Sequence, residues 1–204
     1  MKKKSVKKKK KEEFSLKQEY KKSWEYLRKS KNYLWAITII FLTMAIIGFL
    51  VPAPEFISEK IMQLIEEIIN KTQGMSSLEL VAFIIGNNVQ TSFIGMVLGF
   101  IFGIFPIITT VINGYLLGFV GFISVNSDGW VSLLKLLPHG IFELPAVIIA
   151  LGLGLKLGTF PFKKNPRKSL REFLENSTRV FLLIVLPLLL IAGIIEGVLI
   201  FLIN

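Results

Sequence analysis

Apolar, nearly uncharged blocks of about 20 residues recur along this chain, and a block of that length has few possible fates. At ~1.5 Å of rise per residue, about 20 helical residues cross the hydrocarbon core of a bilayer. Membrane strands need only half that length and alternate polar with apolar residues, which these blocks do not. Mean hydropathy of +0.62 and a hydrophobic share of 52% agree with this reading but do not decide it. The distribution of charge does. Of 14 acidic residues, only Glu143 and Glu196 lie deep inside apolar blocks. The predicted fold class is all-α: a polytopic helical membrane protein of about five transmembrane helices in one membrane domain, with amphipathic surface helices.

Residues 1–11 are almost all lysine and cannot pack, so they read as a cytoplasmic tail drawn to anionic lipid. From Phe14 to Leu27, the residues Leu16, Tyr20, Trp24 and Leu27 recur at helical spacing among lysines and predict an interfacial helix, completing an N-terminal segment 1–32. The expected spans are 33–51, 80–102, 107–124, 138–157 and 180–203. The first lacks a clear cleavage site and reads as an uncleaved anchor. Between the first two, residues 55–71 place Ile57, Ile61, Leu64, Ile65 and Ile68 opposite Glu59, Glu66, Glu67 and Asn70, an amphipathic helix outside the membrane. A turn is expected at Gly103-Ile-Phe-Pro106, a helix start at Pro138, and a basic linker over 162–171.

Charge predicts the orientation. Residues 1–32 carry 14 basic and 4 acidic side chains, 52–79 carry 2 and 5, and 156–179 carry 7 and 2. Basic segments stay in the cytosol. The first and third segments are both cytosolic only if an even number of spans separates them, and four do. The fifth leaves the C-terminus outside. The net charge of +10 thus reports topology, and no nucleic-acid partner is expected. The absence of cysteine excludes disulfides and thiolate metal sites, and the single histidine excludes multi-histidine motifs within one chain. No cofactor or metal is expected, and no nucleophile motif or phosphate-binding loop is present.

Glycines repeat every four residues: Gly95, Gly99 and Gly103; Gly114 and Gly118; Gly154 and Gly158; Gly193 and Gly197. Such stripes let helix backbones approach closely in lipid. They serve packing within the chain or, alternatively, a homodimer face. Polar residues inside the spans are costly unless paired or wet: Asn87, Asn88, Gln90, Asn113, His139, Glu143 and Glu196. Counted from the outer end of each span at ~1.5 Å per residue, Asn87 lies roughly 10 Å deep, Asn113 roughly 16 Å, Glu143 roughly 8 Å and Glu196 roughly 10 Å. Four helices therefore bring polar groups to the same outer half. His139 and Glu143 share a helix face, and Pro145 removes a donor just beyond them and is expected to kink the helix. Three readings compete for this cluster: a structural polar knot, a solute or proton path, and a metal or catalytic centre.

The stretch Leu137-Pro-His-Gly-Ile-Phe-Glu-Leu-Pro-Ala146, followed by glycine-rich 150–158, resembles the stage II sporulation protein M family. Asn87-Asn88, Asn113-Gly114 and Ile194-Ile-Glu-Gly197 extend the resemblance over roughly residue 33 to the C-terminus. It implies Asn87, Asn88, Asn113, Gly114, Pro138, His139, Gly140, Glu143 and Glu196 as motif residues. It also implies a non-enzymatic membrane scaffold working with other membrane or envelope proteins, with a helical domain distantly like permease subunits. A permease-like subunit is the alternative function, and an intramembrane metal-dependent enzyme comes after it.

Overall fold

The computed structural model describes residues 15–51 and 53–203, with side chains described except at 135–139 and 197–203. The described residues form α1 (Leu16–Leu50), α2 (Glu55–Thr72), α3 (Ser77–Val97), α4 (Ile104–Asp128), α5 (Leu133–Leu157), α6 (Pro166–Val180) and α7 (Leu186–Ile203). No strand occurs among them, and five helical stretches are long and apolar enough to cross a membrane. The chain is a multi-pass helical protein.

Several helices extend past their apolar blocks. The interfacial segment and the first span are one helix: α1 runs 35 residues without a break at residue 32. Lysine, glutamate and leucine are good helix formers, so the end of the hydrophobic block does not end the helix. Leu16, Tyr20 and Trp24 are exposed as expected, but Leu27 is buried with Tyr26 against neighbouring helices. At the other end of the chain, α6 passes through a π-helical turn at Phe181–Val185 straight into α7, so most of the predicted linker 162–171 is already helical from Pro166. The turn between α3 and α4 falls earlier than expected, over Leu98–Gly103, with Phe102 and Gly103 both at positive φ. Pro106 sits in the first turn of α4, where its missing N–H costs little. The fifth helix starts at Leu133 instead of Pro138 and stays helical through Pro145.

The centre of the bundle is α5, which packs against α1, α3, α4, α6 and α7. Its Ala146, Ala150, Leu151, Leu153 and Leu157 are almost fully buried. Glycines set the spacing around it. An added methyl at Gly99 would overlap the backbone of Gly154, and one at Gly158 would overlap that of Gly103. On the other side of the bundle, a methyl at Gly118 would overlap the Ala45 carbonyl, and one at Gly114 would fall 2.6 Å from the Phe41 carbonyl oxygen. Gly95 meets Leu151, and Gly193 meets Ile85 on α3. The stripes thus face helices of the same chain. Buried hydroxyls between the helices bond their own preceding turn, as Ser30 does to the Tyr26 carbonyl (2.7 Å) and Thr110 to that of Pro106 (2.6 Å). By contrast, α2 buries only Ile61 and leaves Phe56, Leu64 and Ile68 exposed.

Candidate polar cavity within the bundle

The close contacts run in register: Gly95 on α3 meets Leu151 on α5, Gly99 meets Gly154, and Gly103 meets Gly158. Helices α3 and α5 therefore lie parallel and tightest at their glycine ends. Toward their other ends side chains replace glycine, and a cavity of about 60 Å³ opens between α3, α4 and α5. Its lining is largely polar: Asn87, Asn88, Thr91 and Ser92 from α3, Thr109 and Asn113 from α4, and Glu143 from α5, closed by Val147 and Leu151.

Each helix contributes a stripe at helical spacing. Asn87 and Thr91 are one turn apart, as are Asn88 and Ser92, Thr109 and Asn113, and Glu143 and Val147. Thr109 and Asn113 are also tied directly, the Asn113 side-chain amide donating to the Thr109 carbonyl oxygen at 2.8 Å. That bond fixes the rotamer and directs the remaining amide capacity elsewhere. Ser92 is buried and Glu143 half-buried, with Glu143 Oε2 shielded from solvent. Oxygen and amide groups in an apolar bundle need partners of their own kind, and gathering them around one space supplies them. A water needs about 10–15 Å³ of such volume, so the cavity has room for a few waters and not for an organic solute.

Of the residues singled out in the sequence, Asn87, Asn88, Asn113 and Glu143 line this one space. Gln90 is exposed on α3 and does not line it. Glu196 is on α7, three residues past the contact of Gly193 with Ile85, and is not among the lining residues. The His139 side chain and Gly197 lie outside what is described. Among the described residues a methyl added at Gly140 would meet the Leu144 side chain at ordinary contact distance, and Gly114 serves the contact with α1 instead of the cavity. Among the described residues no three of His, Cys, Asp and Glu come together to hold a metal. Thr91, Ser92 and Thr109 were missed by reading polarity alone. The available signal was spacing: each sits four residues from one of the asparagines.

The profile of the stage II sporulation protein M family matches residues 37–199, a stretch that takes in every cavity residue. The chain belongs to the stage II sporulation protein M family. An uncharacterized protein of Methanocaldococcus jannaschii is 29% identical over 111 residues, a match covering 52% of this chain and 50% of that relative. The aligned stretch thus spans about half the length of the curated relative. No solved structure matches the chain. Within the family's matched region fall both the glycine contacts that hold α1 to α4 and α3 to α5 and the polar stripes of α3, α4 and α5.

Proposed function

We propose that this chain is a non-catalytic membrane assembly protein: a rigid five-span bundle that holds other membrane or envelope proteins in place. The observation that carries the reading is the size of the polar cavity. Seven polar side chains converge on about 60 Å³, enough for a few bound waters and too little for an organic solute. In this reading Asn87, Asn88, Asn113 and Glu143 form an internal tie, and recognition takes place on the outer faces. Glycine-mediated backbone contacts support the same view, because they make a stiff, close-packed bundle instead of one with a path through it. The lysine-rich N-terminus and the 156–179 segment face the cytosol in this proposal, and α2 lies on the opposite surface.

A permease-like subunit is the second reading. It is favoured by a carboxylate, Glu143, placed on a polar cavity at membrane depth, where ionisable groups so often serve transport. Solubilisation of the tagged full chain in mild detergent, with quantitative identification of what stays bound, separates the two. An assembly protein brings down one or a few partners in fixed ratio that an unrelated five-span membrane protein does not. Purification as a lone chain, together with solute uptake into vesicles reconstituted with it, would reverse the order of the readings.

A further inference from the structure

A second cleft, of about 360 Å³, lies at the lysine-rich end of the bundle between α1, α5 and α6. Its floor is unusual. Lys156, in the last turn of α5, is 8% exposed, and its ammonium donates to the Ser30 hydroxyl (2.9 Å) while sitting 3.7 Å from the centre of the Tyr26 ring. Phe173 of α6 adds a second ring, 5.4 Å from the same nitrogen. An ammonium has three donors, and Lys156 also lines the cleft, so one hydrogen bond, the near Tyr26 ring and the more distant Phe173 ring, which accept only weakly, leave it donor capacity toward the opening.

Four cationic side chains line this space, Lys22, Lys29, Lys156 and Arg179, against two carboxylates, Glu25 and Glu172. Lys22 and Arg179 are both held by Glu19, at 2.7 Å and 2.5 Å. That leaves Lys29, exposed at the mouth, and Lys156, buried at the floor, as the cations that face the opening. Glu25 and Glu172 are exposed, so solvent screens them more than it screens the floor. Even with Glu19 counted, the cleft keeps a positive excess.

We propose that this cleft binds a phosphate group, supplied by the headgroup of an anionic phospholipid. Lys156 contacts the phosphate oxygens from below and Lys29 closes on them from the mouth. The level of the cleft argues for lipid as the source. Lys156 stands one residue before the end of α5, at the edge of its apolar stretch. Trp24, between the cleft residues Lys22 and Glu25 in sequence, is exposed as tryptophans are at headgroup depth. The lysine tail of residues 1–11 attracts any anionic surface, whereas a cleft with a buried ammonium selects one molecule per chain.

Equilibrium binding of radiolabelled short-chain phosphatidylglycerol to the delipidated full-length chain tests this. Wild type should saturate at one lipid per chain and should bind phosphatidylcholine far more weakly. Lys29→Gln should raise Kd about fivefold, and Lys156→Gln by more, on the usual contribution of a lysine near an anionic headgroup. Lys164→Gln, an exposed lysine outside the cleft, should change Kd by less than about twofold. Lys29 is exposed, so its variant decides the matter even if Lys156→Gln does not fold. Excess inorganic phosphate should fail to displace the lipid; displacement at low concentration would reassign the site to a soluble phosphate and overturn the lipid source. Equal affinity for the two lipids, or unchanged phosphatidylglycerol affinity in Lys29→Gln, would overturn the site altogether.

Discussion

Gly99 and Gly154 meet with their backbones nearly in contact, and no side chain could be inserted there without moving a helix. The atoms nearest to a side chain at position 99 are the Gly154 backbone, so no neighbouring rotamer change relieves the overlap. Overpacking of a core costs ~1–3 kcal/mol where neighbours can yield, and more is expected where the obstacle is backbone. Gly99→Leu should therefore lower Tm in detergent by many degrees or abolish folding. Val97→Leu, two residues away and only partly buried, should leave Tm within a few degrees. Equal Tm for both variants and wild type would show that the contact is not made. At this scale the sequence was legible where burial is expensive. Asn87, Asn88, Asn113 and Glu143 stood out because amides and carboxylates inside apolar blocks demand partners. Thr91, Ser92 and Thr109 did not stand out, because hydroxyls can satisfy themselves on the preceding turn. Lys156 was hidden for another reason: adjacent to a basic segment, it reads as one more loop charge, although leucine flanks it on both sides.

Helices are where composition and backbone part company. The apolar block begins near residue 33, yet α1 begins at Leu16, since hydrogen bonding along the backbone continues wherever residue propensities allow. At ~1.5 Å per residue its 35 residues span roughly 50 Å, well beyond a ~30 Å hydrocarbon core. The excess buries Ser23, Tyr26 and Ser30, where α1 meets Lys156 of α5 and packs on α6. The same holds where α6 continues through the π-helical turn into α7. What hydropathy did locate were the five membrane-crossing stretches, because lipid imposes a length that no other environment demands. Their direction rests on charge alone and is open to test. With Lys71→Cys, Lys164→Cys and Asn204→Cys introduced singly into a chain that has no cysteine, a membrane-impermeant thiol reagent should label positions 71 and 204 from outside intact cells, but not 164. External labelling at 164 would invert or break the topology.

Across the whole molecule, two kinds of contact divide the work. Small residues bring α1 onto α4 and α3 onto α5, and where side chains replace them the bundle opens into a polar cavity. A bundle built this way is close-packed through its middle and leaves α2 exposed along most of its length. Membership of the stage II sporulation protein M family places this architecture among membrane proteins but leaves the cavity's role to experiment. If the cavity is a structural tie, Glu143→Gln should be tolerated. Glutamine keeps the shape and reach of the side chain, exchanges one accepting oxygen for a donating amide, and removes the ability to ionise. Tm and membrane level of the variant should be measured together with its ability to restore function in a strain lacking the native copy. A structural tie predicts near-wild-type values for all three. A variant that folds and accumulates normally but fails to restore function would contradict the account and make Glu143 the working group of a transport or catalytic centre.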